Sequence, residues 1–277
     1  MTSKFVMKSA ISISLVPEAR GGAFLFWSLP EGVECAAKLG FDAVEIFPTS
    51  AEDLDARELK RLIDKHRLKI AAVGTGAGWV RHKLRLTDPD TAIRQRAKQF
   101  ISRIIDFAGG FGAPAILGSM QGRWEGGVSR EQALAWLAEA LEQFGPRAHA
   151  LGVPFLYEFL NRYETNVFNR VAESLEFLKP LRTQNVKLLC DLFHMNIEEA
   201  DISAALRMAG PKLGHVHFAD SNRLAIGMGL TDMKPVITSL RDIGYDGYLS
   251  AEILPLPNSE AAAKKTIESF RKLTAES

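Results

Sequence analysis

The sequence predicts a (β/α)₈ TIM barrel, and three observations lead there. Eight short apolar runs alternate with longer amphipathic stretches from one end of the chain to the other. Most of these runs are nearly continuous in apolar residues, as expected for parallel strands buried on both faces. The length of 277 residues suits the ~250 residues that such a barrel needs as a single domain. Residues 1–277 are therefore read as one α/β domain.

The elements follow in order. AISISLV (10–16) is the first strand and 29–39 its helix, with Gly40 at the helix exit. DAVEIF (42–47) precedes a helix over 55–66, and KIAAV (69–73) precedes one over 90–109. PAILG (114–118) leads to a helix over 129–151, where Ser129 stands before a Glu and a Gln in the first turn. VPFLYE (153–158) leads to 168–180. VKLLCD (186–191) leads to 201–209, opened by Asp201 and closed by Gly210-Pro211. LGHVHFA (213–219) is followed by 233–243, and GYLSAEI (247–253) by 258–274. A doubly wound sheet would carry a Gly-rich phosphate turn after an early strand. GTGAGW (74–79) lacks that spacing, so it does not read as a phosphate cradle.

Composition narrows the function. The chain is 47% hydrophobic and 24% charged, with a net charge of +1. That balance gives no electrostatic case for nucleic acid or for a membrane surface. No apolar run reaches the ~18 residues of a membrane helix. Residues 1–16 hold lysines and an apolar stretch but no clear cleavage site before the first strand, so the chain reads as cytoplasmic. Cys35 and Cys190 read as buried, reduced thiols.

The ends of the last four strands carry chemistry. Glu158, Asp191, His217 and Glu252 each fall where an apolar run stops. In a barrel the C-terminal strand ends share one mouth. Three carboxylates and a neutral imidazole suit a divalent cation such as Mn²⁺, Co²⁺ or Mg²⁺ better than a structural Zn²⁺, which favours Cys and His. His215 points to the same side as His217, and spacing alone does not say which of the two binds a metal. His217 is nearer the strand end. Glu45, near the end of the second strand, reads equally well as a substrate-hydroxyl partner or as half of an ion pair. Arg162 can pair with Glu164 or with a neighbouring subunit. His66, His82 and His149 read as solvated. Trp79, Trp124 and Phe26 read as core packing or as the apolar wall of a ligand site, and Arg123 as solvated or as an anion contact.

Three segments together resemble a known group: LYEFLNRYE (156–164), CDLFHMNIEE (190–199) and LGHVHFADSNR (213–223). They are similar to the D-tagatose and D-psicose 3-epimerases within the xylose isomerase-like barrels, the sugar phosphate isomerase/epimerase superfamily. The resemblance covers most of the second half of the chain. It implies Glu158, Asp191, His217 and Glu252 as metal ligands, Mn²⁺ first among the ions, and Glu158 and Glu252 also as acid/base pair. It implies that His194 and Arg223 grip the substrate and that Glu164 joins their polar network. The implied reaction inverts a carbon next to a ketone through a metal-bound cis-enediolate. The implied partner is a small keto-sugar, and the implied assembly a homo-oligomer, dimer or tetramer. Three segments depart from the group: ISISLVPE lacks its aromatic cluster, and the loops LAIGMGLTDM and SMQGRWEGGV are this chain's own. Loops choose the substrate, so a keto-inositol isomerase and a 3-keto-glycoside lyase or hydrolase stand as alternatives on the same metal site. An abasic-site endonuclease would need further metal ligands and a basic face, and a non-catalytic barrel would not need both glutamates.

Overall fold

Each of the eight apolar runs becomes one strand of a closed parallel barrel, in the order β1 to β8 around the ring. The computed structural model describes residues 6–275. The strands are β1 (Lys8–Ser14), β2 (Ala43–Phe47), β3 (Lys69–Gly74), β4 (Ala115–Leu117), β5 (Phe155–Glu158), β6 (Val186–Asp191), β7 (Leu213–His217) and β8 (Tyr248–Ala251). β1 pairs with β8 in parallel and closes the ring, with Ile11 opposite Ala251. Among the described residues, no helix is long and apolar enough to cross a membrane.

The main helices are α1 (Leu29–Leu39), α2 (Ala56–His66), α4 (Thr91–Gly109), α5 (Arg130–Ala150), α6 (Val171–Leu178), α8 (Ile202–Ala209), α9 (Met233–Asp242) and α10 (Ser259–Ala275). Side-chain caps fix several of their starts. Asp55, Asp90, Ser129, Asp201 and Asp232 each accept a hydrogen bond from a first-turn N–H, which satisfies donors that the helix itself leaves open. Two short helices were not expected from the sequence: α3 (Ala77–Val80) and α7 (Leu192–Glu198). β1 also ends two residues before the expected boundary, because the chain turns at Pro17–Ala19.

Strand alternation sorts the interior. Ile11, Val44, Phe155, Leu188, Val216 and Leu249 join the large cluster under the helices. The other face of the strands points into the barrel. There Ala10, Ala43 and Ala71 pack together as one small group. Phe47, Ala72, Ile116, Leu156 and Leu189 form a second. Above these apolar groups the alternate positions turn polar, and this change of character positions the site.

Candidate active site

Glu158 ends β5, Asp191 ends β6, His217 ends β7, and Glu252 lies one residue beyond β8. All four are buried, and one ligand atom from each falls within 4.8 Å of the others. His217 Nδ1 lies 3.2 Å from Glu252 Oε2, 3.3 Å from Glu158 Oε1 and 3.4 Å from Asp191 Oδ2. Glu158 Oε1, Asp191 Oδ2 and His217 Nδ1 are buried with no hydrogen-bond partner. Buried polar atoms are costly to leave unpaired. These three converge on one point, and a hard divalent cation there would satisfy all of them. The donor set therefore fits the metal expected from the sequence.

The residues behind the site orient its donor atoms. Asp191 also caps α7. Its Oδ1 accepts from Phe193 N–H at 2.7 Å, which leaves Oδ2 facing the site. Glu45 is fully buried and uses both oxygens, Oε2 at 2.7 Å from His215 Nε2 and Oε1 at 3.0 Å from His217 Nε2. His217 Nε2–H donating to Glu45 leaves the Nδ1 lone pair for a cation, the usual carboxylate–histidine–metal arrangement. Glu45 spends both oxygens on imidazoles and has none left for a substrate hydroxyl, and His215 Nε2 faces Glu45 rather than the strand-end cluster. We expect His215→Ala to bind Mn²⁺ with less than tenfold loss of affinity and His217→Ala to lose it, as read by calorimetric titration.

Electrostatics differ among the carboxylates. Burial raises the pKa of Glu158, with nearby Glu252 adding to the rise and His217 opposing it. Burial also acts on Asp191, but His194 and His217 outweigh it and hold the carboxyl well below the usual range. Burial works against a charge on His217, yet Glu45 and Glu252 raise its pKa well above that of a free imidazole.

The three residues assigned to substrate by resemblance line the same cavity of about 600 Å³, together with Glu158 and Glu252. Asn161 Nδ2 lies 2.8 Å from His194 Nδ1. An amide N–H can only donate, so His194 Nδ1 accepts and its Nε2–H faces the pocket. That nitrogen is 3.9 Å from Glu158 Oε1 and 3.8 Å from Asp191 Oδ2. Arg223 sits at φ +60° on the turn that begins at Asp220, a left-handed backbone unusual outside glycine. The turn aims its guanidinium across Phe193 at 4.8 Å and onto Glu252 Oε2 at 3.2 Å, with Glu164 Oε1 at 3.6 Å.

Other expectations fared variously. Arg162 bonds Glu198 at 2.9 and 3.0 Å, not Glu164, because the 161–164 turn carries it over α7. Trp79 and Arg123 line the cavity. Phe26 is core, bridged to β1, and Trp124 is tied to Asn166 through its backbone and indole N–H. His82 and His149 are exposed, but His66 is partly buried and its Nε2 has no partner. The aromatic wall missing from β1 comes from the loop behind it, where Phe24 packs on Phe47 with ring centroids 4.6 Å apart. Three residues went unremarked in the sequence. Asn161 orients His194. Gln121 ties the Glu158 carbonyl to the Tyr157 hydroxyl. At Gly118 an added Cβ would come within 2.5 Å of Glu158 Oε2. Gly118→Ala should push that carboxylate aside and lower kcat by about tenfold or more, since ångström-scale misplacement at a site costs up to ~10²-fold. An unchanged kcat would show that Glu158 works from another position.

The closed parallel barrel thus sets a buried cluster of carboxylates and imidazole, able to hold a metal ion, at the C-terminal mouth where TIM barrel enzymes carry their active sites. The sequence model of the family described as "Xylose isomerase-like TIM barrel" matches residues 33–273, and the chain belongs to that family. It is 32% identical over 232 residues to the D-psicose 3-epimerase of Agrobacterium fabrum (strain C58), covering 82% of this chain and 80% of that one. It is 29% identical to the L-ribulose 3-epimerase of Methylomonas sp. (strain DH-1), covering 84% and 83%. The crystal structure of D-psicose 3-epimerase with D-tagatose from Clostridium cellulolyticum H10 superposes with a TM-score of 0.79 at 25% identity, over 98% of this chain and 100% of that one.

Proposed function

We propose that this protein is a divalent-metal-dependent ketose 3-epimerase, with Glu158, Asp191, His217 and Glu252 as its metal ligands. The observation that carries the reading is the approach of Glu158 and Glu252 to one atom, His217 Nδ1, at 3.3 and 3.2 Å from strands three apart in the ring. Two carboxylates placed this way flank one bound fragment. Kinship with the ketose 3-epimerases supports the same reaction. Mn²⁺ is the preferred ion, with Co²⁺ or Mg²⁺ as alternatives, and the enzyme works as a homo-oligomer in the cytoplasm.

A divalent cation held by Glu158, Asp191, His217 and Glu252 would polarise the ketone and make the adjacent C–H more acidic. Glu158 takes the C3 proton from one face of the sugar, and Glu252 returns a proton to the other, so the centre inverts through a cis-enediolate. In the reverse direction the roles exchange. His194 Nε2–H donates to a substrate oxygen. Arg223 holds Glu252 in place, and its Nε, buried without a partner, is free to meet the developing negative charge. Glu164 supports Arg223 and the Asn161–His194 pair.

The test is proton exchange followed by NMR in D₂O with Mn²⁺ present, using D-fructose, D-psicose, D-tagatose and L-ribulose. Deuterium at C3 together with appearance of the C3 epimer supports the reading. Elimination products in place of an epimer would replace it with the lyase alternative.

A further inference from the structure

The cavity is larger than the reaction requires. At about 600 Å³ it is roughly twice the ~300 Å³ at which pockets begin to enclose a small ligand. Its reacting end lies over β5 to β8, where Glu158 and Glu252 stand. The opposite end lies over β3 and β4, lined by Trp79 on α3 and by Arg85, Arg123 and Glu125 from the loops beyond.

That far end is built. Trp79 is held by two cations, Lys83 Nζ 5.3 Å and Arg85 Cζ 5.8 Å from its ring centroid. Arg85 in turn bonds Asp88 at 2.9 Å and Glu125 at 2.5 Å, and Arg123 lies 3.7 Å from Glu125. Arg85 is therefore already paired with two carboxylates, Arg123 lies near the second of them, and Arg223 at the other end is held by Glu252 and Glu164. A phosphate group near Arg85 would be repelled by Asp88 and Glu125. An uncharged polyhydroxylated ring would not. Its C–H face can pack on an indole, and its hydroxyls can donate to Glu125 and accept from Arg85 and Arg123.

We propose that this far end is a second sugar subsite, so that the substrate class is an unphosphorylated ketose carrying a further sugar ring at the end remote from its ketone. The proposal rests on the ketose 3-epimerase reading and extends it to the substrate. The free C1–C3 unit reacts between the two glutamates, and the attached ring lies against Trp79.

The test compares D-fructose, 6-O-α-D-glucosyl-D-fructose and D-fructose 6-phosphate with the Mn²⁺-loaded enzyme, following the C3 epimer by NMR. The glucosylated ketose should show a KM about tenfold below that of D-fructose, and the phosphate should be the poorest of the three. Trp79→Ala should lower the ratio of kcat/KM for the glucosylated ketose to that for D-fructose by about tenfold. Its thermal stabilisation by Mn²⁺ is measured alongside to show that the metal end is intact. Turnover of D-fructose without turnover of the glucosylated ketose overturns the subsite and leaves the epimerase reading standing. An unchanged ratio in Trp79→Ala also overturns it, because the open mouth would then merely tolerate the ring. No epimer from any of the three overturns the epimerase reading and the subsite with it.

Discussion

Glu158→Gln and Glu252→Gln should each lose about 10³-fold or more in turnover while keeping the fold, the upper part of the range for removing a general acid or base. Both changes preserve size and one carbonyl oxygen, so packing around the strand ends is little altered. What each removes is the ability to take up a proton. The two variants should then separate in D₂O. C3 epimers present their hydrogen to opposite faces, so each single variant retains a base for only one member of an epimeric pair. Each should exchange the C3 hydrogen of that member with solvent and convert neither into the other. The double variant should exchange neither. If one single variant epimerises at a near wild-type rate, the two-base scheme fails. If both lose exchange with both epimers, a single carboxylate acts with another proton carrier. Thermal stabilisation by Mn²⁺, measured on the same samples, separates a lost base from a lost ligand.

The barrel was legible because its signals are local. VKLLCD becomes β6 with the expected ends, and the helix starts at Asp201 and Ser129 are fixed by side chains only three residues from the N–H they cap. The four strand-end residues were legible for the same reason, since a barrel converts position along a strand into position around one mouth. Glu45 was not. Its partners His215 and His217 lie 170 and 172 residues away, and no local pattern tells a carboxylate in AVEIF which imidazoles it will meet. Arg162 illustrates the reverse error. Glu164 is nearest in sequence, but the intervening turn sends the guanidinium to Glu198 on α7, a helix absent from the elements that the sequence predicts. Asp191 before LFHM was a usable capping signal for it. One of its oxygens caps α7 and the other faces the strand-end cluster, so a ligand assignment does not exclude a cap. The aromatic wall was missed for a similar reason. Phe24 stands ten residues beyond the end of β1 and returns to the mouth through a loop whose path the sequence does not encode locally.

Replacing Glu45 should produce a large change, although this carboxylate is assigned no contact with metal or sugar. It is fully buried, and both of its oxygens are bonded to imidazoles. Burial opposes its charge, but His217 and His215 together hold its carboxyl well below the usual range. It is therefore an anion in the barrel interior, kept so by its partners. Glu45→Leu leaves two buried imidazoles without their acceptor, and losing one side of a buried charged network costs ~3–5 kcal/mol. Glu45→Gln is the sharper probe. The amide keeps a carbonyl oxygen for one histidine but turns an N–H₂ toward the other, and it carries no negative charge. His217 then loses both a fixed tautomer and part of its basicity at Nδ1. Mn²⁺ affinity should fall by about 10–100-fold, as for other residues that orient metal-bound histidines. Calorimetric titration measures that loss directly, and saturating Mn²⁺ should restore much of kcat, because Glu158 and Glu252 are untouched. A variant that binds Mn²⁺ as the parent does would reduce Glu45 to a packing role. A variant with normal affinity but a collapsed kcat would place Glu45 in the chemistry itself, which its position behind His217 argues against.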